Sequence, residues 1–228
     1  MRVVFVHGAC VRDGAWWWHR AAALLAGRGV LSVAPGLPSC GETGTAGLGL
    51  AEDVAAVRAV LQDSDEPTVV VAHSYGGIVT AEAAAGVDPV RHLLLVSSYL
   101  PEVGESLSTF GASEPAPFLD VDVDSGTFGV RPGLLAGTFL QDCPEVAADA
   151  GDRLARQSLS VLGTPVTTSA WQHVPTTYLV CADDRGTPAV AQREFARRAD
   201  DVVELDAGHH PFLSRPREVA DLLLGLPG

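Results

Sequence analysis

Residues 68–86 constrain this chain more than any other stretch. Val69, Val70 and Val71 form a short β-branched run after Pro67, the pattern of a strand buried on both faces. Beyond Ser74 the residues change to Ile78, Val79, Ala81 and further alanines, which favour a packed helix, and Gly86 is placed to stop it. Only Ser74 is left for the corner. A serine on so tight a strand-to-helix turn is pushed out of the sheet edge with the helix N-terminus beneath it, the geometry of a nucleophile elbow. The plain alternative is a helix-capping serine, a common residue in such turns.

The rest of the chain supplies a sheet around that corner. Residues 2–6 predict a strand ending in His7-Gly8-Ala9-Cys10. Trp16-Trp17-Trp18 then leads into a helix pattern at Trp17, Ala21, Leu24 and Leu25, closed by Gly27 and Gly29. Strands follow at 30–34, 92–97, 176–181 and 202–205, and helices at 50–61, 188–199 and 215–224, with a Gly- and Thr-rich loop at 39–49. Between 101 and 175 the rhythm breaks into Pro-, Gly-, Asp- and Ser-rich sequence with short helices expected around 134–139 and 146–162. The expectation is one α/β domain: a mainly parallel six-stranded sheet flanked by helices, with an inserted cap at about 101–175. Ligands of such sheets bind at the carboxyl ends of the strands. His7-Gly8, Ser74, Asp183-Asp184 and His209-His210 all fall there.

Composition narrows the chemistry. A net charge of −13 repels phosphate backbones and anionic membranes, which argues against nucleic-acid and membrane partners. All fifteen basic residues are arginine, so no lysine amine is available for a Schiff base, a phosphate loop or a Ser-Lys dyad. The four cysteines are far apart and read as free thiols, and the seven histidines show no metal-binding spacing. No apolar run approaches the roughly 20 residues of a membrane span, and the apolar start at 3–6 is too short for a signal peptide. A cytoplasmic protein is expected, with no metal, no cofactor and a small-molecule substrate. Its oligomeric state is unreadable, a homodimer being one option.

A serine hydroxyl becomes a nucleophile only with a base beside it, a third group orienting that base, and donors for the oxyanion. Ser74, then Asp183 or Asp184, then His209 or His210, gives these parts in an order known for one fold. Four motifs carry a resemblance. They are Val6-His7-Gly8-Ala9-Cys10 with Gly14-Ala15-Trp16; Ala72-His73-Ser74-Tyr75-Gly76-Gly77; Cys181-Ala182-Asp183-Asp184-Arg185; and Gly208-His209-His210-Pro211-Phe212-Leu213-Ser214-Arg215-Pro216. Over nearly its whole length the chain resembles the α/β-hydrolase family. The match is closer to the small esterases similar to plant methyl-ester esterases and hydroxynitrile lyases, with their bacterial relatives. Ala72 replaces the first glycine of the elbow pattern, and Val11-Arg12-Asp13 is an insertion relative to the plant proteins.

The resemblance implies Ser74 as nucleophile, His209 as general base and Asp184 as the acid that orients it, with Asp183 a turn former. It implies an oxyanion hole from the backbone N–H groups of Ala9 and Tyr75. Trp16, Tyr99, Trp171 and His210, with Trp17, Trp18, Phe110, Phe118, Phe128 and Phe139, are candidate pocket residues. The implied function is cofactor-free hydrolysis of a small apolar or aromatic carboxylic ester through an acyl-enzyme. Rival readings are a lyase or natural-product tailoring enzyme using the same three residues, or a non-catalytic small-molecule-binding homologue. The lyases carry threonine at the place of Gly8 and lysine at the place of His210, so both positions here are esterase-like.

Overall fold

The computed structural model describes residues 1–41, 48–111 and 115–227, so most of the loop expected at 39–49 lies outside the described residues. The strands are β1 (Arg2–Val6), β2 (Leu31–Val33), β3 (Thr68–His73), β4 (Val90–Val96), β5 (Leu119–Asp122), β6 (Thr127–Val130), β7 (Gln157–Ser158), β8 (Thr176–Cys181) and β9 (Asp201–Leu205). The helices are α1 (Gly14–Ala26), α2 (Leu50–Gln62), α3 (Gly76–Ala83), α4 (Pro132–Phe139), α5 (Ala147–Gly151), α6 (Ser160–Gly163), α7 (Ala189–Ala196), α8 (Pro211–Ser214) and α9 (Pro216–Gly225). The main sheet has six strands in the order β2-β1-β3-β4-β8-β9, all parallel.

Strand periodicity sorts the core into two layers. Val4, Val6, Val70 and Ala72 face Leu50, Val54 and Val57 of α2 and Ile78 of α3. Val3, Phe5, Val69 and Val71 face the other way, against Trp17, Trp18 and Leu25 of α1 and Val219 and Leu223 of α9. Every residue of β3 and β8 is buried, as strands covered on both faces require. The outer strands β2 and β9 are open to solvent, with Leu31 and Val202 exposed. On the α1 side Trp18 stacks on Phe5 at 4.4 Å between ring centroids.

Residues 101–175 differ from the expected pair of short helices. The predicted helix near 134–139 is α4, but 146–162 breaks into α5, β7 and α6. β5, β6 and β7 form an antiparallel sheet of their own. Thr127 and Phe128 favour extended backbone, and Gly126, at φ +65°, closes the turn that returns β5 to β6. Arg156 pins the sheet, reaching Asp120 Oδ2 at 2.8 Å and Thr127 Oγ1 at 2.7 Å.

The first turn of α3 lies directly on neighbouring backbone. A Cβ on Gly76 would stand 2.6 Å from Val6 O and 2.9 Å from His7 O, and one on Gly77 would collide with Tyr99 O and Ser98 Oγ. The obstacles at Gly76 are rigid carbonyls, so the helix, and the corner before it, would have to lift. Gly76→Ala is expected to lower stability by about 1–3 kcal/mol, seen as a lower urea midpoint at unchanged slope; a midpoint equal to wild type would show that the seat is not tight.

Candidate active site

Ser74 and Tyr75 join β3 to α3; Tyr75 already has helical backbone, while Ser74 is at φ +50°, in the left-handed region that side-chain-bearing residues rarely adopt. Two other strand ends share this geometry, Cys10 after β1 at φ +59° and Ser97 after β4 at φ +43°. Strain of this kind persists only where the surroundings fix it, and it gathers here at three adjacent strand ends. Ser98 Oγ and Gly77 N both donate to Ser74 O, at 2.6 and 3.1 Å, fixing the corner's carbonyl. The half-buried Ser74 faces a cavity of about 670 Å³.

Asp184 and His209 meet at the neighbouring strand ends. His209 Nδ1 donates to Asp184 Oδ2 at 2.7 Å, and the carboxylate has no solvent exposure. Gln192 Nε2 donates to the same oxygen at 2.9 Å, as does the Ser97 hydroxyl, while Gly186 N and Thr187 N donate to Oδ1 at 2.7 and 3.0 Å. Burial pushes this carboxyl upward, but the His209 charge and the hydrogen bonds outweigh it and hold Asp184 below its ordinary range. Asp183 is exposed. Because Nδ1 of His209 is committed to Asp184, Nε2 is the nitrogen left for chemistry. Among the described residues no hydrogen bond joins Ser74 to His209, but both line the same cavity.

The bed under His209 is uncharged. His73 Nε2 donates to His209 O at 2.9 Å, and burial drives its ring well below the ordinary histidine range. His210 Nδ1 donates to Phe139 O at 3.1 Å, and burial lowers its pKa to about 3. Its Nε2 is therefore a neutral acceptor without a protein partner among the described residues. The backbone N–H groups of Ala9 and Tyr75 likewise have no acceptor there. Both residues line the cavity, and Tyr75 caps the N-terminus of α3, where the helix dipole adds positive potential.

Of the candidate pocket side chains, Tyr99 and His210 line the cavity with Trp17, Trp18, Phe118 and Phe139. Trp16 and Trp171 do not. Trp16 is half-buried at the edge of the α1 layer with the Arg153 guanidinium 4.4 Å over its ring. Trp171 packs beside the core and donates Nε1 to Pro101 O at 2.8 Å. Ser97 and Gln192 escape a sequence reading, because each acts through distant partners: both donate to Asp184, and Ser97 Oγ also lies 3.2 Å from His209 Nδ1. The inserted Val11-Arg12-Asp13 joins the main sheet to 151–157. Val11 bridges to Leu154, Arg12 N donates to Arg153 O at 2.9 Å, and Arg153 pairs with Asp13 at 3.1 Å.

All four cysteines are free and buried, and burial pushes the Cys40 and Cys143 thiols up to about 12, out of the nucleophilic range. Among the described residues no cluster of His, Cys, Asp or Glu could hold a metal ion, and no helix is long and apolar enough to cross a membrane.

The sequence profile of the alpha/beta hydrolase family matches residues 3–222. Alpha/beta hydrolase nvfD of Aspergillus novofumigatus is 31% identical over 196 residues, 78% of each chain. Methylesterase 9 of Arabidopsis thaliana is 26% identical over 97% of this chain and 96% of its own. The crystal structure of a pyrethroid hydrolase from Sphingobium faniae superposes with a TM-score of 0.86 at 24% identity, over 98% of this chain and 96% of that one. With this arrangement of strand ends and a profile spanning almost every residue, the chain belongs to the α/β-hydrolase family.

Proposed function

We propose that the protein is a cofactor-free serine esterase that cleaves an apolar or aromatic carboxylic ester through an acyl-enzyme. The observation that carries this is the Asp184–His209 pair, with Asp184 buried and held by several donors and His209 in the wall of the cavity that Ser74 faces. In this reading His209 Nε2 removes the Ser74 proton as Oγ attacks the ester carbonyl. Asp184, kept ionised by its donors, holds the imidazole ring in register and stabilises its charge. The amides of Ala9 and Tyr75 receive the tetrahedral oxyanion. His209 then protonates the leaving alcohol, and water releases the acid by the same route.

The cavity supports the substrate class. Its walls are chiefly aromatic and aliphatic, burial shifts the rings of His7, His73 and His210 toward the neutral form, and Arg185, which also lines it, donates to Gly137 O, so the apolar walls suit an uncharged acyl or alcohol group. The relatives named methylesterase and pyrethroid hydrolase lend weight to hydrolysis of an ester. A lyase is less well supported. A Cβ on Gly8 would stand 3.0 Å from His73 Nδ1 and 3.1 Å from Ser74 Cβ, leaving little room for a hydroxyl-bearing side chain there.

Ser74→Ala is expected to cut kcat on p-nitrophenyl esters by about 10⁴-fold or more and to abolish labelling by a fluorophosphonate probe. Full activity in that variant would sink the proposal. A second expectation concerns pH. A carboxyl whose folded pKa is depressed contributes stability above the ordinary carboxylate range and loses it as pH falls through the folded value. Urea midpoints of wild type and Asp184→Asn should therefore converge on acidification from pH 7. Asp53, which burial shifts upward instead, is common to both proteins and cancels in the comparison. A gap independent of pH would show that Asp184 acts by packing alone.

A further inference from the structure

A second buried polar chain lies behind the cavity, made of side chains with no place in the chemistry above. Tyr75 Oη donates to Asp53 Oδ2 at 2.7 Å. Ser39 donates to the same carboxylate twice, from N to Oδ1 at 2.8 Å and from Oγ to Oδ2 at 2.6 Å. With its proton given to Asp53, Ser39 Oγ accepts from Gln157 Nε2 at 2.9 Å. Gln157 Oε1 in turn accepts from Cys10 N at 3.0 Å. Tyr75, Asp53, Ser39 and Gln157 have no exposed surface, and Cys10 has 1%.

Each bond in the chain runs one way. The carboxylate of Asp53 only accepts, and Cys10 N only donates, so the Ser39 hydroxyl and both ends of the Gln157 amide have a single arrangement. The chain joins Tyr75, the residue after Ser74, to Cys10, the residue after Ala9. It thus ends at Tyr75, whose own amide is assigned to the oxyanion, and at the residue next to Ala9, which supplies the other amide. Gln157 lies on β7, outside the main sheet, and the same segment holds the Cys10 loop by backbone, with Ala155 N donating to Cys10 O at 2.9 Å. Cys10 itself is at φ +59°, a conformation that needs outside support.

Resting on the esterase reading, we infer that Gln157, Ser39 and Asp53 are positioning residues that hold the Ala9 and Tyr75 amides at the spacing an oxyanion requires. Their role is indirect. Removing Gln157 leaves the buried Cys10 N without its acceptor and takes from Ser39 Oγ the one donor it accepts, so the Cys10 loop seeks a new partner by backbone movement. A donor displaced by as little as 1 Å is worth about 10²-fold in rate.

Gln157→Leu keeps the side-chain volume and removes both bonds; Ser39→Ala cuts the chain in the middle and guards against a Gln157 variant that does not fold. On a p-nitrophenyl ester, each is expected to lower kcat about 10- to 100-fold with KM nearly unchanged. Affinity for a trifluoromethyl ketone, which forms a tetrahedral adduct, should fall by the same factor. Amide hydrogen exchange at 9–11 and 75–77 should rise, which reads the positioning independently of turnover. Unchanged exchange in both variants, or a loss that falls on KM with kcat and ketone affinity intact, would overturn the inference. An unlabelled Ser74 in wild type would instead show that the esterase reading fails, with the exchange result still deciding whether the chain positions these amides.

Discussion

The close seat of α3 on the sheet is the contact from which the site follows. With no side chain at Gly76 or Gly77, the helix's first turn meets the carbonyls of Val6 and His7 on one side and Tyr99 O on the other. A helix so near the strand ends cannot be reached by a gradual bend. The chain turns in one residue, Ser74, which takes a left-handed conformation and points out of the sheet. The same turn leaves the Tyr75 amide at the helix N-terminus without an acceptor among the described residues. The placing of Ser74 and the polarity beneath it are thus two results of one packing distance.

Two buried carboxylates then organise the polar groups around that corner. Asp184 gathers donors from Ser97 just after β4, from its own loop, from α7 and from His209. Asp53, on α2, gathers Ser39 and Tyr75. Burying a carboxylate is costly unless donors satisfy it, and each of these accepts several. Their protonation tendencies nevertheless diverge. Burial dominates at Asp53 and shifts it upward, while the charge of His209 tips Asp184 the other way. The difference is that Asp184 has a partner able to carry positive charge, whereas the partners of Asp53 are neutral hydroxyl and amide groups.

Much of this architecture is legible from local pattern. The β-branched run Val69-Val70-Val71 and the small residues beyond Ser74 mark a strand, a corner and a helix without reference to the rest of the chain. The order of Ser74, the Asp183-Asp184 pair and the His209-His210 pair, with the motifs around them, points to the strand ends that form the cavity. What local pattern cannot supply is contact between distant side chains. Ser97 is 87 residues from Asp184 and Gln157 is 118 from Ser39, and no periodicity connects either pair. The tryptophan run shows a related limit. Successive helical residues are turned about 100° apart, so Trp17 and Trp18 are buried against the sheet while Trp16, half-buried at the edge of that layer, takes the Arg153 guanidinium over its ring. Residues 146–162, rich in alanine and leucine, suit a helix by propensity, yet Gln157 and Ser158 pair with β6 because that strand has an open edge beside them.

The segment beyond β4 does more than cover the cavity. Val11, Arg12 and Asp13 each contact 153–154, while Cys10 bonds to Ala155 and Gln157. Two walls of the cavity are therefore one hydrogen-bonded unit: the loop that presents Ala9, and the strand pair that carries Phe128. Movement of the outer sheet relative to the main sheet would strain the Cys10 loop as well as open the cavity. A ligand that fills the apolar space and draws the outer sheet inward would, through the same bonds, press the loop toward the Ser74 corner. Binding at the walls and alignment at the corner would then be mechanically linked, the linkage running through backbone pairs and one glutamine side chain and not through the substrate.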